Sequence, residues 1–223
     1  CKLLSYVPQS SLNALNPTKR IKGFLADMLK ERTGEKCTPD DAREMVGEHF
    51  ERLGMDKNLL DRYPFELSGG QRQRANVAIS TFAEPSVLLV DEPTSSLDVT
   101  SQKRMVELLI DIHQRGIIVS LVCVSHDLEF LRQMCSRVAV MYAGRFVETG
   151  TDDIVEKPIH PYVKLLLNSL VPLERQVKQK SLKSIPGRPP DMRYPTAACR
   201  FHPRCPECMD ICKKKRPPMV ERD

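Results

Sequence analysis

This sequence predicts an α/β fold built on a parallel sheet, and three observations lead there. Val87-Leu88-Leu89-Val90 is a run of four apolar residues, the kind carried by a strand buried on both faces. Helical and strand patterns then alternate through Thr100 to Gln114, Ile117 to Val124 and Leu128 to Met134, the βαβ order of a parallel sheet covered by helices. Composition is that of an ordinary globular protein, 41% hydrophobic and 28% charged, which excludes disorder and collagen-like repetition. The longest uncharged apolar run, Gly116 to Ser125, is about half of a bilayer span. Cys1-Lys2-Leu3-Leu4-Ser5 has no basic region leading into an apolar signal segment, so neither membrane crossing nor export is expected.

Leu3 to Val7 reads as a strand stopped by Pro8-Gln9, and Ser10 to Pro17 as a turn-rich loop; a chain that opens inside a strand looks cut. Thr38-Pro39-Asp40-Asp41 supplies a capping hydroxyl, a proline at the first helical position and an early acid. Ala42, Met45, Val46, Phe50 and Leu53 then keep helical spacing, and Gly54 ends the helix. Ser68 caps a helix running to about Ala83, and Pro85 leads into the Val87 strand. Val138 to Tyr142 and Arg145 to Glu148 flank Ala143-Gly144 as a hairpin, followed by an amphipathic segment from Pro161 to Leu170. Residues 172–223 hold most of the prolines and little periodicity, which reads as an extended appendage. No repeat of 20 to 50 residues is visible.

Charge and cysteine divide the chain the same way. From Glu174 to Asp223 there are 13 Lys and Arg against 6 Asp and Glu, so the net charge of +5 belongs to the tail. A basic tail suits a phosphate partner or simply a solvated surface. Cys1, Cys37, Cys123 and Cys135 are scattered, whereas Cys199, Cys205, Cys208 and Cys212 fall within fourteen residues in the spacing C-x5-C-x2-C-x3-C. In a reducing compartment that density favours a metal over disulfides, and the spacing admits iron–sulfur or zinc equally. Reduced, unligated thiols are the alternative.

Four elements recur in fixed order: Gln9 after a strand; Leu67-Ser68-Gly69-Gly70-Gln71; Val87 to Glu92 followed by Pro93-Thr94-Ser95-Ser96-Leu97-Asp98; and His126 after a strand. Ser68 leads two glycines into a helix whose free first-turn amides and dipole favour an anion, though an ordinary capped helix has the same look. The strand through Val90 delivers Asp91 and Glu92 to the carboxyl edge of the sheet, where ligands of open α/β folds sit and where paired carboxylates suit magnesium and water. Together these elements resemble the nucleotide-binding domain of ABC-type ATPases from its Q-loop onward, over residues 1 to 155. The resemblance implies a partial P-loop NTPase-like fold with a helical signature subdomain, and ATP and Mg2+ as ligands. It makes Glu92 the group that orients or deprotonates the attacking water and His126 the switch histidine on the γ-phosphate. Gln9, Ser68, Gly69, Gly70, Gln71, Asp91 and Asp98 become nucleotide- or metal-contacting positions. His49, His113, His160 and His202 have no such context. One departure is large: G-x-x-x-x-G-K-S/T is absent and no Gly-Lys dipeptide occurs. In the family that loop precedes the position of Gln9, so it is expected before Cys1, and the chain is expected to be a fragment offering half of a composite site.

Residues 156–223 narrow the resemblance. His160-Pro161-Tyr162, Ile185-Pro186-Gly187, Pro189-Pro190, and Cys199 through Cys212 look like the C-terminal region of dipeptide, oligopeptide and nickel importer ATPases, and Leu12 to Pro17 agrees with that branch. Gln71 stands where many members have Met. Some members carry a four-cysteine 4Fe-4S cluster here, with three positions matching Cys199, Cys205 and Cys212; either Cys208 is the fourth ligand or another cysteine lies beyond Asp223. The function implied is ATP hydrolysis coupled to import of peptides or nickel, on the cytoplasmic face of the membrane. The implied partners are membrane-spanning permeases, a second homologous ATPase subunit and, indirectly, an extracytoplasmic binding protein. An ABC-type ATPase acting on nucleic acid and an inactive interaction module are the alternatives, and nucleic acid is not the expected partner. Cargo is not legible, because these ATPases do not touch it.

Overall fold

The computed structural model describes residues 3–9, 15–151, 153–169 and 184–221. Most of the loop expected at Ser10 to Pro17, the end of the amphipathic segment at Leu170, and Cys1 lie outside the described residues. The chain forms two compact units, Cys1–Met134 and Cys135–Asp223.

The first unit is built on a parallel sheet in the order β1 (Leu4–Val7), β2 (Val87–Asp91) and β3 (Ser120–Val124). Val7 pairs with Val90, and Asp91 with Val124, so all three strands release their chains at the same carboxyl edge. Paired residues of parallel strands share a face, which puts Val7, Leu88 and Val90 together, each fully buried. The opposite face carries Leu4, Tyr6, Val122 and Val124, all about half exposed, with Val87 and Leu89 only partly covered. The expectation of a strand buried on both faces is therefore met on one face only. β3 is also shorter than its apolar run, because Ile117 and Ile118 are buried in the approach to it.

Helices follow their caps. In α2 (Pro39–Arg52), Thr38 accepts from the Asp41 N–H while Asp41 accepts from the Thr38 N–H, and Gly54 closes the helix at φ 66°. Ala42, Val46 and Phe50 are buried; Met45, though in helical phase with them, faces solvent. α3 (Gly69–Thr81) packs on β1, α2 and α4 (Val99–Gln114), and α4 packs on α5 (Leu128–Met134). One helix was not expected: α1 (Ile21–Thr33) begins at Arg20 without a side-chain cap and packs on α2. Short 3-10 turns at Lys57–Asp61 and Pro64–Glu66 lead into α3. Lys22, Arg43 and Asp61 tie α1, α2 and the first of these turns together through ion pairs of 2.7 and 3.0 Å.

The second unit starts with the expected hairpin, β4 (Val138–Tyr142) against β5 (Arg145–Gly150), reversed by Ala143 and Gly144 at φ 48° and 75°. Two successive left-handed residues are the signature of the turn type that matches strand twist. Val138 and Val140 pack with Ile154 of α6 (Asp153–Glu156) and Val163 of α7 (Pro161–Ser169). Glu148 is nearly buried, and its carboxylate accepts the N–H groups of Ile159 and His160 at 2.9 and 2.8 Å. The tail, expected to be extended, is folded against the hairpin. Phe201 is 1% exposed between Tyr142 and Tyr162. Arg204 donates to the carbonyls of Ile185 and Pro186 and to the Tyr142 hydroxyl. Among the described residues no helix is long and apolar enough to cross a membrane.

Candidate functional site

Glu92 directly follows β2, with a backbone φ of 48° and its N–H donating to Val124 O at 2.8 Å. A non-glycine residue in the left-handed region is strained by about 1–3 kcal/mol and persists where the surroundings determine it. Here the edge of β3 does so, and the same edge supplies His126. The His126 backbone N–H donates to Glu92 Oε1 at 3.0 Å, and the ring Nδ1 meets the same oxygen at 2.9 Å. An ionised carboxylate only accepts, so Nδ1 carries the hydrogen there. The Glu92 side chain is 14% exposed while that of His126 is 83% exposed. Oε1 is thus committed and Oε2 is left, among the described residues, without a protein donor.

Asp91 ends β2 on the face shared with Tyr6, whose hydroxyl donates to Asp91 Oδ2 at 3.3 Å. Desolvation, and then the Asp91 charge, push the Tyr6 hydroxyl above its ordinary pKa, so it remains a donor. Gln9 lies two residues past β1 at the same edge and is exposed. The sheet therefore brings Gln9, Asp91, Glu92 and His126 to one rim.

Ser68, Gly69, Gly70 and Gln71 form a second group at the start of α3. Ser68 Oγ accepts from the Gln71 N–H at 3.2 Å, and Gln71 Oε1 accepts from the Ser68 N–H at 3.0 Å, a complete capping box. Gly70 is a packing requirement, because a Cβ there would stand 2.7 Å from Ser101 Oγ and 3.0 Å from Ser101 Cβ. Ser101 in turn donates its hydroxyl to Asp98 Oδ2 at 2.6 Å and its N–H to Oδ1 at 3.0 Å, capping α4. Those bonds hold the Asp98 carboxyl below its usual pKa. Asp98 is thus a structural cap that fixes the α4 start against the α3 start. Among the described residues no hydrogen bond or ion pair joins the Ser68 group to the Glu92 group. Tyr6 and Ser101 were missed in the sequence. Ser101 was accessible through the Asp-x-x-Ser capping spacing, whereas Tyr6 needed the strand register.

The four clustered cysteines are drawn together at the backbone: Cys199 N–H donates to Cys212 O at 3.1 Å and Cys208 N–H to Cys205 O at 3.3 Å. The Cys208 thiol points at Met209 O, 3.6 Å away. Burial raises the Cys205 thiol above its ordinary pKa, and the neighbouring Cys199, Cys208 and Cys212 add to that rise. Among the described residues no three His, Cys, Asp or Glu side chains are placed to hold a metal ion.

Residues 2–95 match the ABC transporter family and residues 147–212 match the oligopeptide/dipeptide transporter C-terminal region. Similar curated proteins include the dipeptide transport ATP-binding protein DppD of Caldanaerobacter subterraneus subsp. tengcongensis, 35% identical over 100% of this chain and 68% of that protein. The oligopeptide transport ATP-binding protein OppD of Bacillus subtilis is 38% identical over 99% of this chain and 61% of its own. The oligopeptide transport ATP-binding protein OppF of Escherichia coli is 36% identical over 94% and 63%. The chain thus spans 61 to 68% of the length of these relatives. Among solved structures, the ATP-binding cassette MJ0796 in a dimeric post-hydrolysis state with ADP and Pi superposes with a TM-score of 0.55. It is 22% identical over 67% of this chain and 62% of that one, a likeness of fold.

Proposed function

The chain belongs to the ATP-binding subunits of the dipeptide and oligopeptide ABC transporters, and from that premise we propose that it couples ATP hydrolysis to peptide import, with Glu92 as the base. The observation that carries this reading is the Glu92–His126 pair at the carboxyl edge of the sheet. Two bonds to Oε1 fix the carboxylate, and Oε2 remains to accept a proton from water entering at the exposed His126 side. Asp91, an oxygen donor at the same rim oriented by Tyr6, has the chemistry to hold a hard divalent cation. Mg2+ when bound there supplies charge neutralisation for the phosphates. The α3 start, with two glycines and a preformed cap, offers backbone amides to a phosphate presented by a second ATPase subunit. A peripheral position on transporter permeases belongs to the same proposal, and the relatives' names, dipeptide and oligopeptide transport ATP-binding proteins, give no support to the nucleic-acid or inactive-module readings.

In the transporter assembled from full-length subunits, Glu92→Gln is expected to leave nucleotide binding intact and to lower ATP turnover by about 10² to 10⁴, the usual worth of general-base help. A loss of less than about threefold would assign the base elsewhere. For Cys199, Cys205, Cys208 and Cys212 the spacing admits iron–sulfur or zinc, and the iron–sulfur proposal rests on the resemblance to importer ATPases. Iron, sulfide and zinc analysis of anaerobically purified protein decides it: iron with equimolar sulfide supports a cluster, and colourless, metal-free protein with titratable thiols removes it.

A further inference from the structure

The second unit holds a cavity that the nucleotide-type residues do not use. It measures about 90 Å³ and is lined by Arg145, Arg200 and Arg216 together with the rings of Tyr142, Phe146 and Phe201. No carboxylate lines it. The ion pairs among the described residues of this unit join Lys164 to Glu207, Arg193 to Asp191 and Lys213 to Asp210, and none of them takes in the three arginines.

Among the described residues that leaves positive charge without compensation in a partly dry place. Arg200 Nη1 donates to the Ala143 carbonyl, but Nε is buried with no hydrogen-bond partner among the described residues. A buried donor left unmade forfeits its hydration with nothing in return. Desolvation, followed by Arg200 and Arg216, pushes the Arg145 guanidinium below its ordinary pKa, so the three charges repel one another as they stand. The walls are well supported. Phe201 is held edge-on by Tyr142 and Tyr162, and Pro217-Pro218 closes one side with a stiff strap. Phe146, 52% exposed, stands at the rim. His160 adds a donor: its Nδ1 accepts from the Tyr162 N–H at 3.1 Å, which places the hydrogen of the neutral ring on Nε2.

We propose that this cavity binds a small oxyanion carried on a flat apolar group, an aromatic carboxylate or an aryl phosphate, with the anionic head among the guanidiniums and the flat body against Phe146. Guanidinium forks match both head groups, and an anion relieves the repulsion among the three arginines. The site stands apart from the ATPase reading, since every residue in it belongs to the second unit and its test needs no nucleotide.

Calorimetric titration of the intact 223-residue chain with benzoate, phenyl phosphate, inorganic phosphate and benzamidine tests it. Benzoate or phenyl phosphate is expected to bind saturably, the tighter of the two identifying the head group. Inorganic phosphate should bind about tenfold more weakly, and benzamidine, a flat cation, not at all. Arg145→Gln and Arg216→Gln should each weaken binding about tenfold, the worth of one charge-assisted hydrogen bond. Arg216 is exposed, so Arg216→Gln keeps the test decisive if Arg200→Gln fails to fold. Phe146→Ala should bring phenyl phosphate down to the level of inorganic phosphate. Absence of saturable binding by both aromatic anions, equal binding of benzamidine, or unchanged affinity in both arginine variants overturns the site.

Discussion

Replacing Gly70 by alanine sets two opposing effects against each other at the contact between α3 and α4. Alanine is favoured over glycine inside a helix by about 1 kcal/mol, so an unobstructed site would be stabilised. The site is obstructed: the new Cβ would lie 2.7 Å from Ser101 Oγ and 3.0 Å from Ser101 Cβ. Rotating the hydroxyl away relieves only the first contact and gives up the 2.6 Å bond to Asp98, worth about 1.5 kcal/mol for a charged acceptor. The second contact persists until the helices separate by a few tenths of an ångström, within the range where overpacking costs about 1–3 kcal/mol. The net expectation is a loss of about 1.5–3.5 kcal/mol in urea denaturation followed by circular dichroism. Ser101→Gly removes both clashing atoms and leaves only its Cα, at 4.0 Å, in ordinary contact. In that background Gly70→Ala should therefore become neutral or stabilising, giving a coupling of about 2 kcal/mol in the double-mutant cycle. Gly70→Ala at parental stability or above, with Ser101 intact, would refute the packing account.

Thr38→Ala removes the capping hydroxyl of α2 and should destabilise the first unit by about 1 kcal/mol, read as a lower urea midpoint. Glu148→Gln replaces one of two acceptor oxygens, each of which faces one N–H group, by a donor, and should cost about 2 kcal/mol in the second unit, visible as earlier hydrogen exchange at Ile159 and His160. Burial, and for His49 also Arg52, holds the His49 and His160 rings below their ordinary pKa of 6.5. The unfolded chain then takes up protons before the folded one as pH falls through 6.5, so stability should drop below that pH, and His49→Gln should flatten the slope. Asp41 and Asp98, held below 3.8 by their capping bonds, contribute stability that is present above 3.8 and lost only as pH falls through their lower folded values, a separate acid step in a pH titration of the urea midpoint.

Where the sequence carried its own local signal, fold and site could be read from it. Thr38 and Ser68 announce helices through side chains that bond three residues on, and Ala143-Gly144 tolerates the two left-handed conformations a tight hairpin demands. α1 had no capping signal, since Arg20 cannot cap and no acid sits in the first turn, and its only mark was the helical spacing of Ile21, Phe24, Leu25, Met28 and Leu29. Asp91, Glu92 and His126 were legible because strand ends in a parallel sheet share an edge. The Tyr6 contact with Asp91 depends on register, and Ser101 on how two helices meet, neither of which a single stretch of sequence encodes. Phe201 was hidden in a proline-rich tail without periodicity, and its burial comes from aromatic neighbours distant in sequence.

The left-handed backbone at Glu92 also shapes how this protein can change over generations. Glycine sits at φ 48° without strain, so Glu92→Gly relaxes the backbone while deleting the carboxylate. A screen for thermal tolerance alone therefore has a route to that replacement wherever the backbone relief outweighs the two bonds lost from Oε1. On the role proposed above for Glu92, such variants would lose the chemistry, so a stabilising library drawn on this chain must hold position 92 fixed.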